Sequence, residues 1–127
     1  MHVTVTSVAN TDSSPVTEFI CRYGAGRGIW TVGVPRPGQE YDVEFDLDQP
    51  IRVGLNTKVT KDEVSRINNC EHQIMLIAKI EDVFENNTAS LRFGDSLILV
   101  DYEGVLPSIG TWVEVTMPQI EISDTGI

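Results

Sequence analysis

The sequence predicts a mainly β domain, a small antiparallel barrel or a β-sandwich, with one short helix. Three observations carry this. Residues 40–48 alternate acidic and apolar side chains without a break, the pattern of a half-buried strand. Glycine, proline and asparagine clusters at 24–28, 35–38, 86–87 and 104–110 cut the chain into pieces of strand length. Only one segment, residues 60–69, carries a helix signal. The 127 residues fit one domain over 1–127, and 41% hydrophobic with 22% charged residues is a globular composition.

The elements follow in order. Val3-Thr4-Val5-Thr6 alternates and is β-branched, so it reads as a strand. Residues 10–15 form a polar turn cluster, and 16–23 extend again. Gly24-Ala25-Gly26-Arg27-Gly28 reads as a flexible hairpin loop, after which 29–34 resume a strand. Pro35-Arg36-Pro37-Gly38 ends that strand, because proline lacks the ladder donor. Residues 40–48 place Tyr41, Val43, Phe45 and Leu47 on the core face, and 51–55 continue after Pro50. Thr60-Lys61-Asp62-Glu63 matches a capping box, and Val64 and Ile67 are three apart, which predicts a helix of about two turns ending near Asn68-Asn69.

The second half reads as a meander. Residues 73–84 form a long strand, Glu85-Asn86-Asn87 turns it, and 89–93 return. Gly94-Asp95 turns again into 96–100, residues 102–110 are a loop, and 111–117 alternate as a further strand that 119–122 prolong. The expected core is Tyr41, Val43, Phe45, Leu47, Ile74, Leu76, Ile80, Leu91, Phe93, Leu97, Leu99, Trp112 and Val113 or Val115.

Charge narrows the partners. Nine Lys and Arg face 19 Asp and Glu, a formal charge of −10, with pI ≈ 4.4. This argues against direct binding to nucleic acid and to anionic membranes, which both call for basic surface. Residues 1–70 carry nine acids and seven bases, net −2, whereas 71–127 carry ten acids against Lys79 and Arg92, net −8. The longest apolar run, 74–78, is far short of the ~20 residues of a membrane helix. The start has no signal-peptide pattern, so a cytoplasmic protein with reduced Cys21 and Cys70 is expected.

Catalytic and ligand signals are thin. Cys70 and His72 stand close in sequence, but nothing identifies the third, orienting group that a nucleophile pair needs. The two Cys and two His lack the paired spacing of a zinc site, and Asp46 and Asp48 lack the glycine turn and closing Glu of a calcium loop. The glycine-rich 24–28 segment is followed by a strand-like stretch and not by the helix of a phosphate-binding turn. No catalytic residue, metal ligand or cofactor is therefore assigned. Trp30 reads either as core or as an exposed anchor.

The informative feature is the acidic row Glu40, Asp42, Glu44, Asp46 and Asp48. On one face of one strand these neighbours lie about 6.6–6.8 Å apart and repel each other. Two readings stand side by side. The row guards a strand edge against pairing with other chains. Alternatively it recognises a basic groove, since phosphates along one nucleic acid strand are spaced at about 3.4 Å and a carboxylate row can imitate them. Asp95, Asp101 and Glu103 form a second candidate acidic patch.

Three segments also carry a resemblance. Gly38-Gln39-Glu40-Tyr41-Asp42-Val43-Glu44-Phe45-Asp46-Leu47, Ser90-Leu91-Arg92-Phe93-Gly94-Asp95-Ser96 and Gly110-Thr111-Trp112-Val113-Glu114-Val115 resemble segments of small acidic immunity proteins of bacterial polymorphic toxin and contact-dependent growth inhibition systems. The resemblance implies a cytoplasmic, non-enzymatic protein that binds one cognate cationic toxin domain, such as a nuclease, one to one and covers its active-site cleft. Residues 73–122, with 41–55 as a first strand, also resemble a five-stranded oligonucleotide-binding barrel, although the expected helix falls earlier than in that fold. The net charge of −8 on 71–127 argues against carrying over its nucleic acid role. The other readings are a small acidic barrel adaptor or assembly subunit with a housekeeping protein partner, and an enzyme using Cys70 and His72.

Overall fold

The structure, a computed structural model, describes residues 1–9 and 14–126. Most of the expected turn at 10–15 lies outside the described residues. Among those described there are strands and no helix. The strands are β1 (His2–Ala9), β2 (Val16–Cys21), β3 (Gly24–Trp30), β4 (Glu40–Leu47), β5 (Ile51–Arg52) and β6 (Thr57–Val59). They continue with β7 (Arg66–Cys70), β8 (Gln73–Phe84), β9 (Thr88–Phe93), β10 (Ser96–Glu103), β11 (Trp112–Met117) and β12 (Ile120–Asp124).

Five strands close a barrel. β1 pairs antiparallel with β2 and β4, and β2 with β3. β12, the last strand, closes the ring, running antiparallel to β4 and parallel to β3. The barrel thus draws on the N-terminal strands and the C-terminal one, and of the segments in the resemblance it takes β4 and β12 but not 73–117. Residues 73–117 instead form a flanking sheet. In it β8 is the long central strand, with β7 and β11 along its first half and β9 along its second. β10 follows β9, β5 adds to the end of β10, and β6 adds to β11.

Barrel and flanking sheet share one continuous core. Phe19 stacks on Phe45 at 5.3 Å, Phe45 meets Phe93 at 6.1 Å, and Phe93 meets Tyr23 edge-on at 5.3 Å. This chain of rings crosses from the barrel to the flanking sheet. Val43, Phe45, Ile74, Leu76, Ile80, Leu91, Phe93, Val113 and Val115 are buried as the alternation predicts. Tyr41 and Leu47 pack against the core from its margin, and Trp112 is half-buried, with the Lys79 ammonium 6.0 Å from its ring centre. Trp30 is core, edge-on to Tyr41 at 5.0 Å.

Several expectations are corrected, each for an identifiable reason. The helix at 60–69 does not form. Thr60 Oγ1 does accept the Asp62 amide at 3.2 Å, so the local cap exists. Beyond it, Ile67 is buried and paired with Leu76, and Cys70 pairs with Gln73 across a tight turn at Glu71-His72. Two apolar residues three apart are too few to hold a helix face, and Asn68-Asn69 favours a non-helical backbone.

The glycine segment at 24–28 is strand, not loop. A Cβ on Gly26 would sit 2.7 Å from Ile67 Cδ1 and 2.8 Å from Phe19 Cζ, and one on Gly28 would sit 2.6 Å from the Ile120 carbonyl oxygen. These glycines let β3 lie against β7 and β12 at once, which is what a glycine inside a strand commonly marks. The strand expected to run through 29–34 accordingly ends at Trp30.

Leu97 and Leu99 are 50% and 66% exposed, against expectation. Residues 97–100 are all apolar, so period two cannot choose a face. Pairing chooses it: Ile98 and Val100 face Leu91 and Ala89 in the core, while Leu97 lies opposite Arg92 and Leu99 opposite Ser90. By contrast, the turn at 85–87 forms as read, with Asn86 (φ 62°) and Asn87 (φ 56°) left-handed, a conformation asparagine tolerates.

Candidate functional site

β4 carries the acidic row to the outside of the barrel. Val43 and Phe45 point in, so Glu44 and Asp46 point out and are exposed. Asp48 lies just past the strand, exposed, and accepts a hydrogen bond from Gln119 Nε2 at 3.4 Å. Asp42 is half-buried, and its carbonyl accepts both the amide (2.9 Å) and the hydroxyl (3.0 Å) of Thr125. β4 is partnered along its length, by β1 over residues 40–42 and by β12 over 43–47. Each stretch of β4 thus has one ladder partner, and the edge-guard reading of the row stands beside the recognition reading.

The fold adds an acid that sequence reading missed. Glu121 of β12 lies directly opposite Asp46, and Ser123 lies opposite Glu44. The signal was present in Ile120-Glu121-Ile122, which alternates, but only the β4–β12 register places Glu121 beside the row. Like charges directly opposite in a sheet destabilise it. Among the described residues, Glu44, Asp46 and Glu121 form no ion pair.

The start of the row is different. His2 reaches Glu40 Oε1 through Nε2 at 3.1 Å and Asp42 Oδ1 through Nδ1 at 3.5 Å. The hydrogen bonds to Glu40 and then Asp42 raise the imidazole pKa above its ordinary value. His2 is thus the one basic side chain that the barrel supplies to this row among the described residues.

The second candidate patch divides. Asp95, in the turn between β9 and β10, lines one hollow together with Asp42 and Glu44. Asp101 borders a neighbouring hollow beside Leu47. Glu103 is withdrawn from the set: it binds Arg52 Nε at 2.6 Å, and this partner lowers the pKa of its carboxyl. The face brought together is Asp42, Glu44, Asp46, Asp95 and Glu121, with exposed Leu97, Leu99 and Phe84 near it. The exposed apolar residues were not legible as such, because their strands are apolar on both faces.

Elsewhere the geometry is undemanding. Cys70 is exposed at the end of β7, and no hydrogen bond joins it to His72 among the described residues. Arg27 Nη2 instead donates to the Glu71 carbonyl at 2.9 Å, bracing this turn at a left-handed Glu71 (φ 52°). Cys21 is free and half-buried, and burial pushes its thiol pKa up, which disfavours the reactive thiolate. Among the described residues no three His, Cys, Asp or Glu side chains gather as a metal site, and no helix is long and apolar enough to cross a membrane.

Fold and surface together define a class: a closed five-stranded barrel with a flanking sheet and an acidic outer face. Comparison with family models, curated proteins and solved structures finds no match to this chain.

Proposed function

We propose that this protein is a non-catalytic binding module that neutralises a cationic toxin domain, such as a nuclease, by covering its substrate cleft in the cytoplasm, as immunity proteins do. The observation that carries the reading is the carboxylate face of β4 and β12. Glu44, Asp46 and Glu121 repel one another across adjacent strands, and among the described residues none of them forms an ion pair. Such an arrangement lowers the stability of the free protein. A cationic partner would relieve that repulsion on binding and be steered to this face.

The stripe would speed the encounter, and apolar contacts would hold the complex. The test is kinetic, with the toxin domain that this reading expects to be encoded directly upstream of the chain. The chain should abolish the growth arrest caused by that domain and bind it one to one. Reversing Asp42, Glu44 and Asp46 to Lys should slow association roughly tenfold or more at low salt, and raised salt should shrink the difference. An unchanged association rate in the folded triple variant removes the stripe from the mechanism. Growth arrest that persists with the chain present removes the toxin reading itself.

A further inference from the structure

β10 runs beside β4 without sharing a ladder with it. The partners of β10 are β9 and, at Tyr102 and Glu103, β5; those of β4 are β1 and β12. The seam between them opens as two hollows. One, of about 610 Å³, is lined by Asp42, Glu44, Phe45, Asp95 and Leu97, with Arg92 at its side. The other, of about 510 Å³, is lined by Leu47, Phe84, Thr88, Leu99, Val100 and Asp101.

Two properties of the seam point to one kind of occupant. Its exposed apolar groups step in twos along β10, Leu97 and Leu99, beside partly buried Leu47 at the end of β4. Side chains two apart in a strand repeat at about 6.6–6.8 Å, which matches every second side chain of an extended segment lying along it. Its charge is one-sided. Asp42, Glu44, Asp95 and Asp101 border it; of the cations there, Arg92 already reaches Glu81 at 3.4 Å and the Met1 ammonium donates to the Val43 carbonyl at 3.0 Å. Leu99 at 66%, Leu97 at 50% and Phe84 at 46% exposure are large apolar side chains left in water beside these acids.

We infer that this seam seats an extended segment of the cationic partner in which apolar side chains alternate with Lys or Arg. The apolar side chains enter against Leu47, Phe84, Leu97 and Leu99, and the basic ones meet Asp42, Glu44, Asp95 and Asp101. The inference rests on the proposed binding of a cationic protein and goes further, since it names what is gripped and where. A second copy of this chain is a poor occupant, because it would bring carboxylates against carboxylates on a chain of charge −10.

The experiment titrates the full chain with three short synthetic peptides, following backbone amide NMR shifts. One alternates Lys and Leu, one Lys and Ser, one Glu and Leu. The Lys–Leu peptide should bind tightest and shift Phe84, Thr88, Leu97 and Leu99. Leu99→Gln, at an exposed position, should weaken it about tenfold while thermal unfolding stays unchanged. Equal binding of the Lys–Leu and Lys–Ser peptides, unaffected by Leu99→Gln, overturns the seam but leaves charge-driven binding standing. Shifts with neither cationic peptide overturn both. Equal binding of the Glu–Leu peptide, or a dimer by sedimentation that Leu99→Gln dissolves, overturns the seam as a site for a basic segment.

Discussion

The barrel and the flanking sheet handle charge in opposite ways. In the flanking sheet carboxylates meet cations on neighbouring strands: Arg52 with Glu103 at 2.6 Å, Lys58 with Glu114 at 3.2 Å, Arg92 with Glu81 at 3.4 Å. On the outer face of the barrel, β4 and β12 set Asp46 against Glu121, and among the described residues His2 is the basic side chain that pairs with the row, at its Glu40 and Asp42 end. The sequence halves suggest the reverse, since residues 1–70 are near neutral and 71–127 carry −8. The discrepancy arises because β5 and β6 donate Arg52 and Lys58 to the C-terminal strands, while β12 carries Glu121 to the barrel. Charge balance in sequence is not charge balance in space. The uncompensated acids lie on the face proposed above for a partner.

The largest expected effect would break the link between the two regions. Phe93 is fully buried where the aromatic chain passes from barrel to flanking sheet. Phe93→Ala should cost about 3–5 kcal/mol in denaturant unfolding. If the regions share one core as described, the transition stays single; two separated transitions would show independent units. Gly26→Val comes next, because its branched side chain must displace Phe19 and Ile67, at about 1–3 kcal/mol. Stability equal to that of the parent chain would mean that β3 is not pressed against β7 as described.

Smaller effects sharpen the charge contrast directly. Asp46→Lys turns a repulsive cross-strand pair with Glu121 into an attractive one and should stabilise the protein by about 0.2–1 kcal/mol. Lys58→Met, which removes an exposed ion pair of the flanking sheet, should cost under about 1 kcal/mol. A gain for Asp46→Lys beside a small loss for Lys58→Met bears out the contrast, and two losses abolish it.

The smallest effect is pH-dependent. The pKa of His2 is raised in the folded state by Glu40 and Asp42, so the folded state binds this proton more tightly than the unfolded one. Its contribution is complete below the ordinary value of 6.5 and is lost as pH rises through the higher folded value. His2→Asn should flatten this part of the stability profile, above the ordinary value of 6.5. A profile that keeps its slope in the variant would assign the titration to another group.

The alternation at 40–48 determined both the strand and its outward acids, because period two leaves one face apolar and the other charged. Residues 73–84 and the Asn86-Asn87 turn were equally legible, since a long apolar strand and a left-handed asparagine pair need only local chemistry. Local chemistry failed where long-range pairing overruled it. The glycines of β3 looked like a loop until three neighbouring strands required their missing side chains, and Ile67 looked helical until Leu76 paired with it. Leu97 and Leu99 looked buried because four apolar residues in a row carry no parity.

The candidate face shows the same division. The sequence by itself determined the acidic row of β4, because each of its members is set by the neighbour two positions away. Only the tertiary structure decided that Glu121 and Asp95 join that face, that Glu103 leaves it for Arg52, and that Leu99 stands exposed beside it. Those four facts depend on which strands lie side by side. That is settled by burying one shared core and closing one barrel, contacts between residues far apart in the chain that no local pattern encodes.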